Sequence, residues 1–371
     1  MAGSGIGTFN DRIRDGVRGG GPFDSAADLR ALQGFVSGLY TDPNEAATAD
    51  DATKLKLLDR TDWIKIGMAA GLADFRLVRS TSGNTVTGSA VGYNGAHAGY
   101  TLDPQEAINY VSAHDNQTLF DIVQHRLPTG TALADRVRAV DLGLDVILLG
   151  QGIPFLHMGD DLLRSKSADK NSYDSGDWFN RIDWTGASST WRSGLPPAGD
   201  NASSWPFISP IFADPTTAPN AAAIAASKAH VLDVLKVRKS SRLFRLTTAA
   251  DVQKRVDFLN TGPTQVPGVI VMTIADGTDA SCGTLADLDP AVDGVVVVVN
   301  ADKVAHAMDV PGAAGFVLHP VLAAGADPVV KTATVASVTG GQRFTVPART
   351  AAAFVAPQGA SRGTGVPCNA R

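Results

Sequence analysis

Cysteine, glutamate and long apolar runs are what this 371-residue chain has least of. Its two cysteines, Cys282 and Cys368, stand far apart with no histidine or cysteine beside them at metal-ligand spacing, which argues against a zinc site. From sequence they either pair or remain two unpaired thiols on loops; pairing would favour an oxidising, extracellular setting, and the compartment is otherwise open. The longest apolar stretch, residues 146–158, is broken by Gly150-Gln151-Gly152 and Pro154, and it falls short of the roughly 20 residues a bilayer-spanning helix needs. The start, Met1-Ala2-Gly3-Ser4-Gly5, has neither a basic segment nor an apolar core and does not read as a secretion signal. A formal net charge of -5 gives no electrostatic reason to expect nucleic acid or an anionic membrane as partner. There is no internal repeat or low-complexity tract, and the only glutamates are Glu45 and Glu106, both in loop-like surroundings.

What is present describes a globular protein: 44% hydrophobic and 19% charged residues in a chain long enough for two domains and a sizeable core. Helical and strand signals alternate through the first two-thirds. Residues 50–75 carry Leu55, Leu58, Ile64 and Met68 at helix-like spacing, ahead of a Gly-rich, hairpin-like loop over 81–100. Residues 108–111 read as a buried strand, and 119–125 as a short amphipathic segment. Leu133, Val137, Val140, Leu144 and Leu148 mark an amphipathic helix over 131–148; residues 153–158 then read as a strand and 225–237 as a helix. That rhythm predicts parallel α/β architecture. From about Leu243 the pattern changes to runs of β-formers between turn signals, at 256–259, 268–274, 295–300, 316–322, 329–335 and 344–355, which predicts an antiparallel sandwich.

The most informative stretch is Ile108-Asn109-Tyr110-Val111-Ser112-Ala113-His114-Asp115-Asn116-Gln117-Thr118, where an apolar run ends abruptly in His-Asp-Asn. On spacing alone there are two readings: polar groups facing a cleft at a strand end, or a turn in which Asp115 caps the next helix and His114 is a surface histidine. Asn116-Gln117-Thr118 also fits a glycosylation acceptor pattern, a poor fit inside such a motif. The stretch resembles, nearly letter for letter, the last conserved motif of the alpha-amylase superfamily in its pullulanase and limit-dextrinase branch. Two further runs carry the same resemblance. One is Asp161-Leu162-Leu163-Arg164-Ser165-Lys166-Ser167 followed by Asn171-Ser172-Tyr173-Asp174-Ser175-Gly176-Asp177-Trp178-Phe179-Asn180; the other is Gly7-Thr8-Phe9-Asn10-Asp11-Arg12-Ile13-Arg14-Asp15 leading to Gly19-Gly20-Gly21-Pro22-Phe23. The resemblance is collinear from about Gly5 to about Ala356.

The resemblance implies the C-terminal part of a (β/α)8 TIM barrel, about strands six to eight, over residues 1–242, and a terminal antiparallel β-sandwich over 243–371. The Pro/Gly/Ser-rich stretch 188–219 then becomes a long loop over the active-site face. It implies a retaining glycosidase that cleaves α-1,6 branch linkages in pullulan, glycogen or starch dextrins. Such an enzyme needs a carboxylate nucleophile and a carboxylic acid that protonates the leaving oxygen. The family carries these in Arg-x-Asp and Gly-Glu-Gly contexts, and neither pattern occurs here; Asp74-Phe75-Arg76 lies on the wrong side of strand six. Asp115 carries over as the third carboxylate, the transition-state stabiliser, with His114 and Asn116 beside it on the sugar.

Lys170 lies where relatives commonly have arginine, and with Asp200 it is expected to hold a neighbouring glucose, though an ammonium lacks arginine's planar fork. Trp178 is expected either to stack on a sugar or, the favoured reading, to be a buried anchor of its loop. Arg12, Arg14 and Asp15 are expected to form a structural ion-pair cluster. No cofactor is required by this chemistry; relatives often bind structural calcium, but no Asp-rich loop here specifies a site. The expected partners are an α-glucan and the missing N-terminal half of the barrel. Two other readings stay open: a non-catalytic carbohydrate-binding remnant, and an inactive truncated product.

Overall fold

The computed structural model describes residues 2–277, 280–359 and 365–371; Met1, the first residue of the stretch read against a secretion signal, lies outside them. The architecture is mixed, with helices and sheets interleaved as the alternating pattern predicts. Three short strands, Thr8–Phe9 (β1), Ala107–Asn109 (β2) and Ile153–Pro154 (β3), form a parallel sheet in the order β1-β2-β3. Thr8 pairs with Ala107 and Ile108 with Ile153. Among the described residues this sheet does not close into a barrel, and β1 and β3 each have a single neighbour.

Helices Asp11–Arg18 (α1), Asp51–Met68 (α2), Leu119–Arg126 (α3), Leu133–Leu149 (α4) and Ala221–Ser240 (α5) accompany this sheet; α1 packs on β2 and on α2, and α4 packs on α3 and α5. Asp50 starts α2 by accepting from the Thr53 amide at 2.8 Å, a capping interaction that satisfies an otherwise orphaned donor. The strand ends are tied by asparagines: Asn10 Nδ2 donates to Asn109 Oδ1 at 2.8 Å, and Asn109 Nδ2 donates to the carbonyls of Gly67 and Gln151, each at 2.9 Å. The Arg238 guanidinium on α5 donates to the carbonyls of Leu148, Gly150 and Gly152, satisfying the end of α4 and steering the chain into β3.

The C-terminal part is antiparallel. Strands Val256–Leu259 (β4), Val269–Ala275 (β5), Val292–Asn300 (β6), His306–Pro311 (β7), Val317–Leu318 (β8), Thr334–Val338 (β9), Gly341–Val346 (β10) and Thr350–Pro357 (β11) form two sheets. Their orders are β8-β11-β6-β5-β4 and β7-β10-β9. Phe344 of the smaller sheet meets Phe354 of the larger at 4.9 Å between ring centroids. Cys282 and Cys368 form a disulfide, which closes the alternative left open by sequence.

Several elements differ from expectation for identifiable reasons. The run 344–355 is two strands, because Arg349 takes a left-handed φ of 47° and turns the chain. Residues 316–322 hold only two strand residues before Pro320 opens the helix Pro320–Ala324, and 329–335 begins as a 3-10 turn, Val330–Thr332. Strand β7 was not foreseen; its alternate residues face solvent. The stretch 188–219 is not all loop: it contains the helix Trp205–Ala213, with proline tolerated in its first turn. The strands read at 108–111 and 153–158 are shorter, and residues 81–100 hold the second strand of one small hairpin and the whole of another.

Candidate functional site

Downstream of β2 the chain makes an outward excursion. Ser112 is fully buried, His114 and Asp115 are largely exposed (side chains 87% and 76%), and Gln117 and Thr118 are buried again. The return needs a left-handed residue, and Asn116 supplies it at φ 60°, a conformation that asparagine tolerates better than most residues. Asn116 Nδ2 donates to the Pro22 carbonyl at 2.8 Å. Thr118 then caps α3 by accepting from the Asp121 amide. The capping role that sequence offered to Asp115 therefore belongs to Thr118, and the Asp115 carboxylate is left facing out.

It faces a cleft of about 450 Å³, whose lining includes Asp115, Asn116, Lys170 and Asp200. Four of the six candidate site residues, spread over 86 positions of sequence, thus share one cavity. His114 is not part of the lining; its Nε2 lies 3.4 Å from Asp115 Oδ1. Trp178 is also outside it. The expectation of a buried anchor is corrected: Trp178 is 59% exposed, with Nε1 donating to the Ser193 carbonyl at 3.3 Å and the Arg181 guanidinium 5.9 Å from its ring. Gly176 opens its helix at φ 69°, and no core element covers the indole.

One wall of the cleft is the turn 21–25, whose first three residues end a matching run without having been expected at the site. Buried Arg126 donates to the carbonyls of Arg18 and Gly19 at 2.8 and 2.7 Å and to Asp24 Oδ2 at 3.0 Å, and Asp24 Oδ1 accepts from the Gly21 amide. Gly20 sits at φ 59° where a Cβ would collide with the Asp24 carboxylate, so the turn requires glycine twice over. Burial pulls the Arg126 guanidinium down to about 9, and neighbouring Arg18 adds to this.

The opposite wall is organised by Asp169, which is fully buried. Its carboxylate accepts from the Asn171 amide at 2.9 Å, Asn201 Nδ2 at 3.0 Å and Ser175 Oγ at 2.5 Å. Asn201 in turn accepts from the Lys170 amide, and Asn171 Nδ2 donates to Asp200 Oδ2 at 2.9 Å. Asp169, Asn171 and Asn201 were missed as contributors because nothing in spacing separates a loop-organising Asp or Asn from a solvated one; of the three, only Asn171 lies in a matching run.

Beneath the excursion lies a nearly dry polar group. Arg164 Nη1, a donor, is 2.9 Å from His157 Nε2, so that nitrogen accepts and Nδ1 carries the proton, 3.4 Å from Ser112 Oγ. Burial, reinforced by Arg164, holds His157 down at about 3, and burial pushes Asp160 up to about 7. At the mouth, Arg14 pairs with Asp15 at 2.8 Å and with Asp11 at 3.1 Å, but Arg12 leaves the expected cluster. Its guanidinium instead lies over the rings of Tyr93 and Tyr100, 4.9 and 4.4 Å from their centroids. Among the described residues no group of three or more His, Cys, Asp or Glu is placed to hold a metal ion.

The family model of pullulanase-type alpha-1,6-glucosidases, C-terminal, matches residues 186–357. The chain is 44% identical over 359 residues to chloroplastic pullulanase 1 of Arabidopsis thaliana, covering 96% of this chain and 36% of that protein. It is 39% identical over 371 residues to Klebsiella pneumoniae pullulanase, covering 100% and 33%. The crystal structure of Klebsiella pneumoniae pullulanase complexed with maltotriose superposes with a TM-score of 0.91 at 41% identity, over 99% of this chain and 34% of that one. The chain thus spans about a third of the length of the relatives it matches. On sequence and fold together, the chain is similar over nearly its whole length to about a third of these pullulanases, and residues 186–357 match the C-terminal part of pullulanase-type alpha-1,6-glucosidases.

Proposed function

We propose that this chain supplies the C-terminal part of a retaining pullulanase-type glycosidase that cleaves α-1,6-glucosidic branch linkages in pullulan, glycogen or starch dextrins. The observation that carries the reading is the cleft downstream of β2 that unites Asp115, Asn116, Lys170 and Asp200. Residues 1–242 are the last part of the catalytic barrel, with β1, β2 and β3 as about strands six to eight. Residues 243–371 are the terminal β-sandwich. Asp115 places negative charge where an oxocarbenium-like transition state develops positive charge, and His114 and Asn116 bind the same sugar. Lys170 and Asp200 hold the adjoining glucose, and exposed Trp178 offers a stacking face outside the cleft.

Nucleophile and acid come from outside this chain. Both glutamates are engaged away from the cleft: Glu45 pairs with Arg30, and Glu106 accepts from the Gly5 and Leu102 amides at 2.9 Å. Of the cleft's other acids, Asp24 is held by Arg126. The exposed apolar residues Ile6, Phe9, Ile153, Phe155 and Met158, on and beside the single-sided strands β1 and β3, support a missing N-terminal barrel half as partner. The reaction needs no cofactor. The Cys282–Cys368 disulfide supports residence in an oxidising compartment.

The test is reducing-sugar release from pullulan by this chain alone and after co-refolding with the N-terminal two-thirds of the Klebsiella pneumoniae relative, with Asp115→Asn as control. Release by the mixture and none by its Asp115→Asn counterpart is the expected result. Maltotriose binding by a mixture that never cleaves would instead favour a non-catalytic carbohydrate-binding chain, the reading suggested by glutamates that lie outside the cleft.

A further inference from the structure

We propose that Lys166 is a positioning residue for Asp115, its ammonium clamping the outward loop at the His114 carbonyl. This rests on the reading of Asp115 above. The Lys166 side chain is buried, and Nζ donates to the His114 carbonyl at 2.8 Å, one peptide unit before Asp115. The excursion has few other restraints. The Ser112 hydroxyl accepts from the Leu119 amide at its base, and Asn116 is tied to the Pro22 carbonyl on its far side. Between these ties, among the described residues, the Lys166 clamp holds the tip, and the Asp115 carboxylate has His114 Nε2 3.4 Å away.

Lys166 is itself fixed with unusual firmness. Its amide and that of Ala168 both donate to Asp121 Oδ2, at 2.8 and 3.2 Å, and Ser167 and Ala168 between them adopt left-handed φ values of 50° and 64°. Two amides one residue apart turned onto one carboxylate form a nest-like grip, the Ser167 amide between them donating to Ser165 Oγ, and two non-glycine residues held at positive φ show that the surroundings dictate this turn. The same turn leads directly into Asp169 and Lys170, so one rigid segment sets both the far wall of the cleft and the position of Asp115. A charge is used at the clamp because a charged donor holds a carbonyl more firmly than a neutral one.

The charge has a measurable limit. Burial, opposed by Asp121 and Asp169 and aided by Arg164 and Arg18, brings the Lys166 ammonium down to about 8; His157 is the remaining titratable group that faces it. Above that pH the clamp loses its proton. The linkage sign separates this from unfolding: a lysine at about 8 in the folded state and about 10.4 unfolded makes the unfolded chain the better proton binder in between. Global stability contributed by Lys166 therefore rises with pH over the window in which the loop loosens.

The experiment measures amide hydrogen exchange at Leu119, whose amide donates to Ser112 Oγ at the base of the loop, in the full chain, corrected for intrinsic rates, for wild type, Lys166→Met and Lys166→Arg. At pH 7 exchange is expected to be about tenfold faster in Lys166→Met, the loss of one charged hydrogen bond, with α4 unaffected. Wild-type exchange at the loop should accelerate above pH 8, and Lys166→Arg, which stays charged, should show no such break. If Lys166→Met fails to fold, the wild-type and Lys166→Arg pH profiles alone decide. Loop protection that is independent of residue 166 and of pH overturns the proposal. Maltotriose affinity of Asp115→Asn is measured in parallel: no change there would refute the sugar-binding reading while the exchange data still judge the clamp.

Discussion

Strand β6 runs through Val295, Val296, Val297, Val298 and Val299 with every one of them buried, paired along its length to β5 on one side and β11 on the other. In contrast, β1 and β3 are two residues long, each has one neighbour among the described residues, and Phe9 in β1 and Phe155 just after β3 stand 48% and 39% exposed. The antiparallel region finishes its own core; the parallel region leaves apolar edges for something else to cover. Phe9 still gathers Tyr110 and Phe155 at 5.0 and 5.2 Å in edge-to-face contacts, so this surface is preformed rather than loose. The self-sufficient region is where stability should concentrate, and the open region is where function should be altered without unfolding the chain.

The contrast is broken most directly by truncating one phenylalanine in each region. Phe354→Ala empties a fully buried site packed at 4.9 Å against Phe344 and should cost about 4 kcal/mol in urea unfolding. Phe9→Ala should cost less than about 1 kcal/mol. Equal losses would mean that the parallel region is as closed as the other. Next in size is the disulfide, which ties positions 86 residues apart and anchors a terminus whose Asn369 side chain donates to the Val256 carbonyl at 3.0 Å. Replacing both cysteines by alanine should lower stability by about 3 kcal/mol, read from the urea midpoint under oxidising conditions.

A third prediction tests the seam between the regions. His230 on α5 lies 2.9 Å from Asp145 on α4 and 3.2 Å from Asp327, which also receives Arg138 at 3.1 Å. Burial disfavours the imidazolium, but Asp145, Asp327 and Asp141 outweigh it and hold His230 well above 6.5. Its folded value being raised, the stability it contributes is complete below the unfolded value and is lost as pH climbs through the folded one. His230→Gln should therefore cost about 2 kcal/mol at pH 6, and the deficit relative to wild type should shrink as pH rises. A deficit that grows with pH would mean a neutral His230. Asp327, kept below the usual carboxylate range by His230 and Arg138 despite its burial, bounds the same window from the acid side.

The sequence made legible what periodicity or a long motif encodes. Helix α4 was read over 131–148 and is found at Leu133–Leu149, because its apolar stripe repeats five times. The excursion at Asp115 was legible because an apolar run stops there. Strand β7 was not, since an edge strand with alternate solvent-facing residues carries half the apolar signal. The turn at Arg349 was invisible because a left-handed arginine has no local signature; there the Arg349 side chain is drawn onto Asp42, 307 positions away, and tertiary contact overrides propensity. The same holds at the cleft. Asp115 was found through its motif; Lys166 lies in a matching run that gave it no role, and Asp121 and Asp169, which also shape the surroundings, are ordinary polar residues until the fold brings them together.

The smallest stability effect is expected at the residue with the largest functional one. Among the described residues the one side chain set against the Asp115 carboxylate is the exposed His114 at 3.4 Å, so exchanging the carboxylate for a carboxamide removes little that the fold uses. Asp115→Asn should unfold within about 0.5 kcal/mol of wild type, as expected for an exposed site away from caps and cores. Its maltotriose affinity, measured by calorimetry, should nevertheless fall. A carboxylate left exposed on a loop pinned from both flanks is free to meet a ligand from solution. A marked stability loss in Asp115→Asn would instead place Asp115 among the groups that build the loop, and would erase the division between a region that supports the fold and one that serves the ligand.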